Sequence, residues 1–89
     1  MKLNEEDKHL VIKCKAIAHP ARLALVKRLL RKECCVGDIQ ECLSISQPNL
    51  SQHIRLLKEA KIIAGERQKT KICYRVVDDK IKQLIKIFN

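Results

Sequence analysis

The sequence predicts a mainly α-helical fold with one small β-hairpin. Apolar residues recur at helical spacing in five segments, only two glycines and two prolines interrupt 89 residues, and two short runs with strand character flank a basic stretch. A chain of this length builds one modest core, and no repeat or linker divides it. We therefore expect residues 1–89 to form a single domain.

Three helices are expected before residue 44. Apolar side chains lie three and four positions apart in residues 5–18, and the His19-Pro20 step ends this helix because proline disfavours helical backbone in the preceding residue. Proline suits a first helical turn, so a second helix is expected over residues 20–31 and a third over residues 36–43. The apolar positions that share a helical face are Leu10, Cys14 and Ile17 in the first helix and Val36, Ile39 and Leu43 in the third. In the second helix, Leu23, Val26, Leu29 and Leu30 are expected to face inward.

A fourth helix is expected to start after Ser46, whose hydroxyl is placed to cap it, and to continue to residue 60 or 61. The stripe expected to be buried is Leu50, Ile54 and Leu57.

Residues 62–66 and 72–76 then flank the basic run Arg67-Gln68-Lys69-Thr70-Lys71, which predicts a hairpin. Residues 78–88 close the chain as an amphipathic helix with the stripe Ile81, Leu84, Ile85 and Phe88.

A short helix, a three-residue turn and a capped helix with a polar outer face form the helix-turn-helix plan, in which the second helix enters the major groove. Nineteen Lys and Arg against ten Asp and Glu give a net charge of +9, which favours nucleic acid as the partner. Two aromatic residues are too few to stack single-stranded bases, so double-stranded DNA is expected. The candidate DNA contacts are Ser46, Gln47, Asn49, Ser51, Gln52, Arg55, Lys58, Arg67, Lys69 and Lys71.

Three stretches of the chain resemble the ArsR/SmtB family of winged-helix repressors: AIAHPARLALVKRLL, VGDIQECLSISQPNLSQHIRLLKEAKII and KICYRV. The resemblance implies a winged helix-turn-helix fold, with helices 1–3, a recognition helix 4, a two-stranded wing and a C-terminal helix 5. It also implies a homodimer, formed by the first and last helices, that represses from a palindromic operator until an inducer, usually a metal or metalloid, releases it. DNA binding itself is expected to need no cofactor.

The terminal helices indicate a dimer independently of the resemblance, because apolar residues cover more of their circumference than a monomer of 89 residues would need. The residues concerned are Val11, Ile12, Ile81, Leu84, Ile85, Ile87 and Phe88.

The segment ECCVGDIQ partly resembles the ELCVCDLC sensor motif of arsenic and soft-metal repressors in that family. Cys35 matches the first motif cysteine, whereas Gly37 and Gln40 replace the second and third. The candidate metal ligands are Cys35, Cys34, Cys14 and Cys42, with As(III), Cd, Pb or Zn as the possible inducer.

Other interpretations of the cysteines stay open at this point. Cys42 suits a place in the core, Cys73 has no expected role, and Cys35 could pair with a distant thiol in a redox switch, or the inducer could have been lost. The family's second sensor site, built from Asp and His on the last helix, is not expected, because the three histidines lie at His9, His19 and His53.

Several functional classes are excluded or disfavoured. No apolar stretch of about 18 residues exists and the N-terminus lacks a signal-peptide core, so we expect a cytoplasmic protein with reduced thiols and no membrane association. No phosphate-binding loop or nucleophile-base pair points to an enzyme. A winged-helix module that binds RNA or protein is the alternative from another class.

Overall fold

The computed structural model describes residues 1–32 and 34–88, apart from the side chain of Cys34. The order of helices and hairpin confirms the expected mainly helical fold. The elements are α1 (Glu5–Ile17), α2 (Pro20–Arg31), β1 (Cys34–Cys35), α3 (Val36–Leu43), α4 (Gln47–Glu59), β2 (Ile63–Gln68), β3 (Lys71–Val76) and α5 (Asp79–Phe88). Within the described residues, no helix combines the length and the apolarity that crossing a membrane requires.

Local side-chain chemistry sets the helix boundaries. Asn4 Oδ1 accepts a hydrogen bond from the Asp7 backbone amide at 2.7 Å and so caps α1. His19 Nδ1 accepts one from the Ala21 amide at 3.1 Å, and Pro20 begins α2. The expected break between the first two helices is therefore confirmed, and His19 lies at the junction as its cap.

The turn between α3 and α4 fixes the helix-turn-helix. Ser44 takes a left-handed conformation with φ 52°, which ends α3, and the Ile45 amide donates to the Gln40 carbonyl at 3.4 Å. Ser46 is extended, and its hydroxyl accepts a hydrogen bond from the Asn49 amide at 3.4 Å. The expected cap at Ser46 is confirmed.

The sheet has three strands in the order β1-β3-β2, both pairs antiparallel. The expected two-stranded wing is correct for β2 and β3, but the prediction missed β1, because two residues are too few to show an alternating pattern. In the β1–β3 pair, Cys34 lies opposite Tyr74 and Cys35 opposite Cys73. The first helix of the helix-turn-helix therefore starts directly from a strand paired with the wing.

Gly65 in β2 is required by the wing's packing. A Cβ atom at this position would lie 2.6 Å from Cε1 of Tyr74, whose side chain is 6% exposed and belongs to the core. The aromatic ring therefore covers the glycine and anchors the hairpin to the domain.

The core lies between α2, α3, α4, the sheet and α5. Its most completely buried large side chains are Leu25, Val26, Ile39, Leu50, Leu57, Ile62 and Ile81. Leu23, expected to face inward, is exposed instead, and Leu10, Cys14 and Phe88 of the predicted apolar stripes are exposed as well. Helical spacing identifies an apolar face without showing whether the same chain covers it, and α1 buries only Ala16.

An ion pair joins the two terminal helices. Asp78, which is 7% exposed, accepts a hydrogen bond from the Ile81 amide at 3.0 Å through Oδ1 and contacts Lys13 Nζ of α1 through Oδ2. Burial alone would raise the pKa of Asp78, but these donors outweigh burial and lower the pKa below its ordinary value of 3.8. The start of α5 is thereby fixed against α1.

Candidate nucleic-acid interface

The outer face of α4 presents polar side chains on a rigid support. Leu50, Ile54 and Leu57 are 1%, 5% and 0% exposed, so they fix the rotation of the helix about its axis. The side chains on the remaining surface are exposed: Gln47, Asn49, Ser51, Gln52, Arg55 and Lys58. Amide side chains can pair with adenine edges and Arg with guanine, so this face has the donors and acceptors needed to read a major groove.

The wing carries the expected cations at its tip. Gln68 and Lys71 are paired across a two-residue turn, and Arg67, Lys69 and Lys71 are all exposed. Lys69 has φ 61°, a left-handed conformation that costs a non-glycine residue roughly 1 kcal/mol. Lys69 therefore carries a charge at the tip on a backbone that glycine would adopt at lower cost.

A cluster of three cationic or titratable groups supports α4 from behind. The rings of His53 in α4 and His19 lie 4.7 Å apart, and Arg22 Nη1 lies 3.4 Å from His53 Nδ1. Burial is the largest cause that lowers the pKa of His53, and nearby His19 and Arg22 lower it further. Arg22 Nε also donates to the Ala16 carbonyl at 2.5 Å, so Arg22 joins α1, α2 and α4. No local sequence signal indicated a role for Arg22.

The cysteines are arranged differently from the expectation. A disulfide links Cys35, the residue just before α3, to Cys73 in β3. Cys73, which had no expected role, is 3% exposed, whereas Cys42 is exposed and not in the core. Cys42 misled because it lies next to Leu43 in the sequence but on the outer side of a short helix.

Three of the proposed metal ligands, Cys35, Cys14 and Cys42, do not meet in one chain, and the side chain of Cys34 lies outside the described part of the structure. Cys35 is bonded to Cys73, while Cys14 and Cys42 are exposed on different helices, α1 and α3. Among the described residues, no three His, Cys, Asp or Glu side chains lie close enough together to hold an ion. This part of the chain therefore does not fit a soft-metal site by itself, and a site completed by Cys34 or by a second subunit stays a prediction.

A capped recognition helix, a supporting helix before it and a basic hairpin after it define a winged helix-turn-helix protein. Residues 19–64 match the family model described as bacterial regulatory protein, arsR family. The chain therefore belongs to the ArsR family.

Individual relatives agree with this assignment. The Biofilm growth-associated repressor of Agrobacterium fabrum is 44% identical over 71 residues, which are 80% of this chain and 61% of that protein. The transcriptional repressor SdpR of Bacillus subtilis is 33% identical over 79 residues, 84% of this chain and 88% of SdpR. The structure of HlyU from Vibrio cholerae superposes with a TM-score of 0.90 at 26% identity, covering 97% of this chain and 94% of HlyU. The chain spans only 53% to 62% of the length of several curated repressors that it matches.

Proposed function

We propose that the protein is a transcriptional repressor that binds operator DNA as a homodimer, with α4 in the major groove and the wing on the adjacent backbone. The observation that carries the proposal is the fixed orientation of α4: its apolar stripe is buried in the core, and its outward polar side chains are exposed. The basic wing tip supplies phosphate contacts beside it, and repressors among the relatives support the same role.

The dimer is supported by apolar side chains that one chain leaves uncovered on the terminal helices. Exposed fractions of 51% for Leu10, 52% for Ile12, 77% for Ile87 and 82% for Phe88 describe a surface that a two-fold partner would bury. Sedimentation of the protein should show twice the mass of one chain. A paired Leu10→Lys and Ile12→Lys variant should shift it toward the monomer and weaken operator binding.

The DNA interface is tested by comparing sequence discrimination with overall affinity. With the duplex from upstream of the protein's own coding sequence, Arg55→Ala should relax discrimination by about 1–3 kcal/mol at the base it reads. Lys27→Gln, a charge removed from the exposed part of α2, is the matched control and should leave binding unchanged. Equal affinity for the duplex and for random RNA would contradict the proposal.

We propose that release is controlled by the Cys35–Cys73 pair, with the dithiol as the DNA-binding form. The disulfide ties the start of the helix-turn-helix to the wing, so the bond acts between the two DNA-contacting units. In addition, Cys73 Sγ lies 3.6 Å from Gln68 Oε1, next to the turn that carries Lys69. A thiol can donate to that oxygen and a disulfide sulfur has no hydrogen to give, so oxidation changes the support of the wing tip.

The oxidation can be written for a peroxide as oxidant. Cys35 is partly exposed and Cys73 buried, so the Cys35 thiolate attacks an oxygen of hydrogen peroxide and the O–O bond breaks. The departing hydroxide takes up the proton that the thiol had lost, which gives a sulfenic acid and one water. The Cys73 sulfur then attacks the Cys35 sulfur and the second water leaves. Two thiols lose two electrons and two protons to the peroxide. Reducing compartments keep such pairs as thiols until an oxidant appears, which makes repression the default state.

Cysteine variants separate this mechanism from metal sensing. Peroxide should weaken operator binding of the wild type and reducing agent should restore it, while Cys35→Ser and Cys73→Ser should lose the response. Cys42→Ser and Cys14→Ser, which alter exposed thiols outside the pair, are the matched controls and should keep it. Arsenite, cadmium, lead and zinc are added separately to the reduced protein. If one of these ions releases the DNA from the Cys73→Ser variant but not from the Cys35→Ser variant, metal sensing would replace the redox proposal.

A further inference from the structure

A second basic surface lies in the cleft between α2 and α5. Lys27 and Arg31 of α2 and Lys82 and Lys86 of α5 line it, and the floor is the apolar side chain of Ile85 together with Leu30. The cleft has a volume of about 550 Å³, within the range of small-molecule sites, roughly 300–1,000 Å³. No carboxylate among the described residues lines it.

A favourable interaction with a helix dipole explains the positions of only two of these four cations. Cations in the last turn stabilise a helix C-terminus, and Arg31 and Lys86 are placed there. Lys27 and Lys82 lie earlier in their helices and gain little from the dipole. Lys82 Nζ is 3.7 Å from the exposed Asp79 carboxylate, a surface pair that contributes little, and the described residues provide no ion pair for the other three cations.

The cleft lies away from the surface expected to form the dimer. Successive residues of a helix are 100° apart, so the buried Ile81 and Ile85 divide α5 into two flanks. Leu84 and Lys80 are on the flank that faces a groove against α1, next to the exposed Leu10. Lys82 and Lys86 are on the opposite flank and face α2. A dimer formed through α1 and the flank of α5 that carries Leu84 and Phe88 would therefore leave the cleft open.

We propose that this cleft binds a small oligophosphate anion, such as pyrophosphate or the phosphate chain of a nucleotide. Four like charges around an apolar floor focus a positive potential, which two or more linked phosphates would neutralise and a single monoanion would not. A concave site of this volume suits a small molecule better than the convex backbone of a duplex. The site is separate from the DNA-reading surface and independent of the proposed repressor function.

Calorimetric titration of the full chain with pyrophosphate, without DNA, tests the proposal. We expect saturable binding of one pyrophosphate per chain and weaker binding of orthophosphate. Lys27→Gln combined with Lys82→Gln should lower the affinity for pyrophosphate at least about tenfold, because the variant loses one or two charge-assisted hydrogen bonds. Lys69→Gln combined with Lys71→Gln removes the same charge from the wing and should leave pyrophosphate binding unchanged. Thermal unfolding confirms that both double variants are folded.

Three outcomes would count against the proposal. Pyrophosphate binding that is lost in the wing variant and kept in the cleft variant would assign the anion to the DNA surface. No saturable binding by the wild type up to about 1 mM, a free energy of about −4 kcal/mol, would mean that the four cations are only a solvated surface. Reduced operator affinity of the cleft variant would instead identify the cleft as a contact for the DNA backbone.

Discussion

Asp78 is the residue whose replacement should most destabilise the junction of the terminal helices. Its side chain caps α5 through the Ile81 amide and pairs with Lys13, whose side chain is 26% exposed and therefore partly screened by solvent. Loss of an N-cap costs about 1 kcal/mol. Loss of a half-buried pair adds about 1–2 kcal/mol, between the values for surface and buried pairs. Asp78→Ala should therefore lower the free energy of unfolding by about 2–3 kcal/mol.

The assay is thermal and urea unfolding at one fixed protein concentration, because the stability of the proposed dimer would depend on concentration. For a domain of this size the expected loss corresponds to a decrease in Tm of about 10–20 °C. Asp78→Asn keeps an amide oxygen that can cap α5, so it should lose only the contribution of the ion pair with Lys13. Lys13→Met keeps the apolar stem, and its effect should not add to that of Asp78→Asn, because both remove the same pair. Strict additivity, or a loss below about 1 kcal/mol for Asp78→Ala, would refute the assigned roles.

Three other substitutions test packing and titration. Gly65→Ala should lower stability by about 1–3 kcal/mol in urea unfolding, because its Cβ would overlap the Tyr74 ring, and a neutral result would mean that the ring moves away freely. Gly37→Ala should raise the free energy of unfolding by about 0.5–1 kcal/mol, because alanine is favoured over glycine in a helix and nothing lies within 4 Å of the added Cβ. A lower Tm of this variant would contradict the inference that the position has room for a methyl group. The lowered pKa of His53 means that the unfolded chain binds more protons. The free energy of unfolding should therefore fall as the pH decreases below about 6.5 toward the pKa of folded His53. His53→Gln should reduce this pH dependence, measured by unfolding at a series of pH values. An unchanged dependence of the unfolding free energy on pH would exclude His53 as its source.

Helix-level features of the fold could be predicted from local sequence. Ser46 and Pro20 are start signals whose effect depends only on neighbouring backbone, and both helices begin where these residues indicate. The buried stripe of α4 follows from helical spacing for the same reason. Leu23 and Leu10 show the limit of this reasoning, because spacing does not reveal which element packs on a face.

The features that could not be predicted from the sequence depend on contacts between residues that are far apart along the chain. Cys35 and Cys73 are separated by 38 positions, and only the pairing of β1 with β3 places them opposite each other. The two-residue β1 has no periodicity from which it could be detected. Arg22 is similar: its contacts to Ala16 and His53 cross three helices, so the local pattern around it shows only a solvated cation on α2.

The salt dependence of operator binding tests the winged-helix account most directly. If the wing tip neutralises phosphates, the logarithm of the affinity should fall linearly with the logarithm of the salt concentration, and Lys69→Ala should reduce that slope by about 1 for each subunit bound. Lys69→Gly removes the charge but relieves the left-handed backbone, so it should show the same reduced slope in a more stable turn. An unchanged slope in both variants, with affinity as in the wild type, would contradict the placement of the wing on DNA.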